Sequence, residues 1–306
     1  MINRLLIRIK VLQVLYNYYA FEGRMTEDRA LQILEDALEA SYRLYITLCG
    51  LPLALSDAAE NRLAIEEEKF GKQEEKIALL KHLVDNPLVA LIRSDEEFIT
   101  LYEDLAYTSI ALDEYHGDII TDLLTSENPQ EVDWASYDDV KEWWRGLYKS
   151  AYQQSEAFED RLGDLSIYLN DDIGIVFTFA TKVFNGMDDK LQYMKNLRPK
   201  YSNDDNKTFG PDLLTKVIHN SAELKEDLTK YLKEWDADRV SRIDSIILRM
   251  ALAEALYYPQ IPTTIIINEY LNLAHVYSSN NSSKYTNGIL HNLFTDLKEE
   301  GRILGD

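Results

Sequence analysis

Apolar residues recur at intervals of three and four along most of this chain, and Gly, Pro, Asn and Ser interrupt the runs. Leu5, Leu6, Ile9, Leu12, Leu15, Tyr16 and Tyr19 predict a first helix over residues 4–21, with Gly23 as its stop. Thr26, followed by Glu27 and Asp28, predicts the N-cap of a second helix running to about Leu48, which Gly50 and Pro52 should end. Ser56 can cap a third, leading into a charged stretch around residues 66–76.

Further helices are expected over residues 73–84, 95–125 and 136–169, punctuated by Asn86-Pro87 and by Asn128-Pro129. The second of these carries Phe98, Leu101, Leu105, Leu112, Tyr115 and Ile119 as one stripe. Residues 173–180, Ile-Gly-Ile-Val-Phe-Thr-Phe-Ala, are the most strand-like by composition. A single apolar run without a partner makes a poor sheet, so a buried helix is expected there. A basic patch, Lys195, Arg198 and Lys200, leads into the polar run 202–207, the clearest linker.

Beyond it the pattern is dense. Pro211 and Asp212 should open a helix containing Leu213, Leu214, Val217 and Ile218, and Leu224 to Trp235 should form another. Asp236 or Asp238 restarts the chain into Val240, Ile243, Ile246, Ile247, Met250 and Leu256, a stripe that ends at Pro259. Thr263 or Thr264 precedes a run from Ile266 to Val276, and the polar turn 278–283 precedes a last helix over 284–297. Four or five helices with short joints form a compact bundle, and the fold class is therefore all-α.

Composition narrows the function. The net charge is −21, of which residues 1–200 supply −16 and residues 201–306 supply −5. That balance argues against nucleic-acid binding over the whole surface, which needs concentrated positive charge, and leaves room for a local patch. A single cysteine, Cys49, excludes an intrachain disulfide scaffold. No apolar run reaches the roughly 20 residues of a membrane span, and the N-terminus holds Arg4, Arg8 and Lys10 within its apolar sequence. A cytoplasmic location and no membrane association are the expectation.

Glycine-rich phosphate loops and a GxSxG elbow are absent. The histidines His82, His116, His219, His275 and His291 are scattered, without metal-ligand spacing. No catalytic residue, metal or cofactor is expected, and the protein reads as a non-enzyme.

Positive charge stands out in two places. Residues 1–21 contain three basic and no acidic side chains, with Arg4 and Arg8 on one helical face. Such a face is ordinarily solvated helix surface; it also suits phosphate, with Tyr16 or Gln13 available for stacking or base edges. The second place is the turn Asn280-Asn281-Ser282-Ser283-Lys284-Tyr285, which runs into a helix N-terminus whose free N–H groups favour an anion. The plainer reading is a helix start capped by Ser282 or Ser283.

Several blocks in order carry a family likeness. Residues 239–251, Arg-Val-Ser-Arg-Ile-Asp-Ser-Ile-Ile-Leu-Arg-Met-Ala, are followed by Glu254-Ala255-Leu256-Tyr257, then Ile261-Pro262, 267–274 and 283–290. Together with Arg8 and Val11-Leu12-Gln13-Val14-Leu15-Tyr16, they resemble the transcription antitermination factor NusB family. The resemblance covers roughly residues 1–20 and 205–306. It implies a NusB-like helical bundle formed by the first helix and the C-terminal helices, with an additional helical region between them. The domains expected on that basis are residues 1–20, packing on a module of 201–306, and an acidic insertion at 21–200.

The resemblance also implies a non-catalytic factor that binds single-stranded RNA in nascent ribosomal transcripts, with ribosomal protein S10 and the transcription elongation complex as partners. Carried over, its RNA-binding residues would be Arg4, Arg8, Gln13 and Tyr16 from the first helix and Asn281, Lys284 and Tyr285 from the distal turn. Leu5 and Leu6 stand where the family pattern would place more arginines. The alternative is a helical protein-interaction adaptor with weak or lost RNA binding, its acidic surface steering a basic partner.

Overall fold

The computed structural model describes residues 1–21, 24–126, 131–169, 171–232, 241–279 and 282–304. Gly23, Asn281 and the stretch holding Trp235, Asp236 and Asp238 lie outside them. The chain is all-α, with no strand among the described residues.

In chain order the helices are α1 Arg4–Ala20, α2 Glu27–Cys49, α3 Leu51–Glu68, α4 Glu74–Val84, α5 Pro87–Arg93 and α6 Glu96–Leu105. Then come α7 Ile110–Thr125, α8 Tyr137–Leu147, a π-helical turn Tyr148–Gln153, α9 Glu156–Gly163, α10 Ile173–Gly186 and α11 Tyr193–Asn196. The last are α12 Asp204–His219, α13 Ser221–Leu232, α14 Arg242–Tyr257, α15 Thr263–Tyr277 and α16 Ser282–Glu299. None is long and apolar enough to cross a membrane.

The helices group into two compact units, one of Met1 with Glu39–Ser202 and one of Ile2–Leu38 with Asn203–Asp306. The division falls inside α2.

In the first unit α3 packs against α4, α5 and α7, and α8 with its π turn packs against α5, α9 and α10. Its core is aromatic: Trp144, Tyr148, Tyr152, Phe158, Phe177 and Phe184 are buried with rings 4.8–6.3 Å apart. The strand-like run 173–180 lies within α10, with Ile173, Val176, Phe177 and Ala180 buried on one helical face.

Several joints differ from the sequence expectation. Pro52 opens α3 instead of ending the preceding structure, because a first-turn proline lacks an N–H that has no helical partner anyway. Ser56 is then a buried helix-interior residue that donates to the Val84 carbonyl. The expected helix over 95–125 is two, since Ser109 recaps the chain by accepting from Leu112 N. The helix over 136–169 likewise divides at Ser155, which accepts from Phe158 N. Local oxygen acceptors win over continuous periodicity at both places.

In the second unit α14 is the hub, touching α1, α12, α13, α15 and α16. Asn3 caps α1, accepting from Leu6 N at 2.9 Å. α1 is buried almost all round, from Leu6 to Leu15, and Arg8 and Lys10 are included in that burial. The solvated basic face expected there is therefore largely absent. The expected linker begins a helix: Asn203 caps α12 and Pro211 sits inside it. An internal proline costs roughly 3 kcal/mol, which packing offsets here. The turn before it is pressed on α1 and α2, and a Cβ at Gly210 would come 2.9 Å from Ile7 Cγ2.

Candidate functional site

The second unit holds all the described candidate binding residues. Arg8 projects from α1 onto α14 and α15. Its Nε donates to Glu254 Oε2 at 2.9 Å, its Nη2 to Glu254 Oε1, and its Nη1 to Glu269 Oε2 at 3.1 Å. Tyr270 donates its hydroxyl to Glu254 Oε2 at 2.8 Å, and the guanidinium lies 5.6 Å from the Phe209 ring centre. Arg8 is 3% exposed and Glu254 is fully buried. Burial by itself would lower the Arg8 pKa, but the hydrogen bonds and charge of Glu254, with Tyr270 and Glu269 behind it, raise it above its ordinary value. This is a structural clamp between helices, with its donors directed inward.

The remaining candidates stand differently. Arg4 is half-buried and lies over Phe209 at 4.8 Å, and Phe209 packs edge-on against Tyr258 at the end of α14. Gln13 is half-buried. Tyr16 is 42% exposed. Three residues on, Tyr19 donates to Ser221 Oγ and carries the Arg249 guanidinium over its ring at 4.9 Å. Asn281 lies outside the described residues.

Lys284 is exposed in the first turn of α16, where unpaired N–H groups add positive potential. Tyr285 is half-buried, and burial, then the carboxylate of Asp244, holds its phenol above its ordinary pKa. Asp244 is itself buried. It accepts from Ser241 Oγ at 2.6 Å and from Ser282 Oγ at 3.3 Å, and Ser278 donates to Ser282. This hydroxyl relay anchors the start of α16 on the start of α14.

The two groups therefore meet α14 at different ends. Arg4 sits by Tyr258 and Tyr285 by Asp244, about 20 Å apart along a helix rising 1.5 Å per residue. α1 runs from the first toward the second, since Arg8 faces Glu254 and Tyr19 faces Arg249. Tyr16, one turn before Tyr19, is thus the N-terminal candidate carried nearest to α16.

The model of the NusB family matches residues 178–294. The transcription antitermination protein NusB of Oceanobacillus iheyensis is 33% identical over 99 residues, 32% of this chain and 76% of that protein. The chain belongs to the NusB family. NusB of Bacillus pumilus is 30% identical over 92 residues, covering 30% of this chain and 70% of the relative. NusB of Chloroherpeton thalassium is 34% identical over 95 residues, 31% of this chain and 45% of the relative. No solved structure matches the chain.

The NusB match takes in α12 to α15 whole, with Glu254, Glu269, Lys284 and Tyr285 inside it. Sequence reasoning missed Glu254 and Asp244 as the partners that orient the candidate residues. One signal was available: Glu254 interrupts the apolar run Ala251-Leu252-Ala253-Glu254-Ala255, and a carboxylate so placed needs a cation.

Proposed function

We propose that this protein is a non-catalytic, RNA-binding antitermination factor of the cytoplasm. It acts on single-stranded segments of nascent ribosomal transcripts together with ribosomal protein S10 and the elongation complex. The observation that carries the reading is the family match over 178–294, which includes the exposed Lys284 on the first turn of α16. In this reading Lys284 and the α16 N-terminus take phosphate, Tyr16 stacks on an unpaired base, and Arg4 extends the path. Arg8 fixes the first helix on α14 and α15 and so sets where Tyr16 and Arg4 stand. Gln13, Asn281 and Tyr285 complete the proposed set.

The burial of Arg8 and Lys10 favours one second reading, an adaptor that binds a protein partner without RNA. Binding of the full chain to a ribosomal leader RNA, with and without S10 and over a salt series, separates the two. Under the RNA reading, Arg4→Ala with Lys284→Ala weakens binding and flattens the salt slope by about 0.7 per lost phosphate contact. An S10 complex with no RNA affinity at any salt concentration would establish the adaptor.

A further inference from the structure

The first unit holds a cavity of about 1160 Å³ between α4, the end of α7 and α8 with its π turn. Leu79, Leu123, Trp134 and Trp143 form its apolar wall, and Glu74 and Glu75 border it. The two indoles meet edge to face at 5.0 Å, and His82 lies flat on Trp134 with the planes 3° apart. Both tryptophans are only half-buried, so a large apolar area faces the opening.

We propose that this groove docks a basic, amphipathic segment of a partner protein, a function separate from RNA binding by the second unit. Size is the first reason. The volume exceeds the roughly 300–1,000 Å³ of ordinary small-molecule pockets and suits a helix face with one or two apolar anchors. Tryptophan is among the side chains enriched at the anchor points of such contacts.

Charge is the second. α7 carries Asp113, Glu114, Asp118 and Asp122 and no lysine or arginine, and residues 39–202 hold 32 acidic against 16 basic side chains. On the lining itself Glu74 and Glu75 face a single cation, Lys76, with His82 beside them, and the surrounding unit is net negative. Cationic flanks on the incoming segment are steered in, and phosphate is repelled.

Two local irregularities point the same way. Phe70 is fully exposed on the loop just before Gln73, a lining residue, and Gly71 holds that loop with φ +81°. The π turn buries Tyr148 and Tyr152 while leaving Ser150 on the cavity wall. Such widened turns are frequent at functional sites.

The test titrates the full chain, by tryptophan fluorescence, with a synthetic amphipathic leucine–lysine helix and with its leucine–glutamate counterpart. Saturable binding of the lysine peptide alone is expected, weakened about tenfold by Ala78→Trp, which fills the groove from an exposed position. Gly146→Met, entering from α8 where a Cβ meets open space, is a second plug that leaves the fold intact. Glu74→Gln with Glu75→Gln should weaken binding and flatten its salt dependence. Equal binding of both peptides, or affinity unchanged in both plugged variants, would overturn the proposal. So would displacement of the peptide by polyuridylate, which would make the groove an RNA site. Self-association abolished by Ala78→Trp would assign the groove to a second copy and overturn it likewise.

Discussion

Arg8 and Glu254 form a two-pronged ion pair, Nε to Oε2 at 2.9 Å and Nη2 to Oε1, in the interior of the second unit. Removing Arg8 leaves Glu254 buried without its counterion, and removing Glu254 leaves the buried Arg8 with only the half-exposed Glu269. Arg8→Ala and Glu254→Ala should each cost about 3–5 kcal/mol in urea unfolding. Replacing both together by Met and Leu should cost far less, because the desolvation of both charges disappears. An Arg8→Ala protein of wild-type stability with weakened RNA affinity would instead make Arg8 a direct contact.

His116 sets an acid limit on the first unit. It is buried against the rings of Tyr115 and Tyr152, with Nδ1 at 3.2 Å from the Tyr152 hydroxyl. Burial pushes its pKa down to about 4 from 6.5. The unfolded chain takes up the proton first, so the neutral form's contribution is whole above about pH 6.5 and falls away as pH drops toward 4. At pH 5 the loss is about 2 kcal/mol relative to pH 7. Urea midpoints across that range should show it, and His116→Gln should shrink the dependence by about that amount.

Gly50 is required by Tyr102. A Cβ at residue 50 would stand 1.9 Å from the ring atom Cε2, with no flexible side-chain end to yield. Gly50→Ala should destabilise by about 1–3 kcal/mol through overpacking, and Tyr102→Ala in the same background should recover part of it. Thermal melts of the single and double variants decide this.

Tyr16 offers a direct probe of the proposed RNA face, because its ring is 42% exposed. Tyr16→Ala should lower RNA affinity by about 1–3 kcal/mol while leaving the melting temperature unchanged. Tyr16→Phe should retain most of the affinity, because the stacking surface is the ring. Equal losses in the two variants would point to the hydroxyl and sink the stacking role.

Periodicity alone was enough for the all-α class and for most helices, because a stripe of apolar residues every three to four positions buries well in only one way. It was also enough to read 173–180 as helix, since no second apolar run existed to pair with it. The joints at Pro52, Ser109, Ser155 and Asn203 were less legible, because a serine or asparagine caps a helix only if the chain is extended just before it, and that depends on packing. The matching blocks in residues 239–290 carried the family likeness without any structure.

What tertiary structure decided was the fate of each charge. In sequence Arg4, Arg8 and Lys10 look alike, three cations in an apolar helix. Packing against α12, α14 and α15 buries two of them and leaves Arg4 half-exposed, because the helix is enclosed on nearly every side. A sequence records which residues carry charge. Only the arrangement of neighbours determines whether that charge meets a carboxylate within the core or an anion from solution.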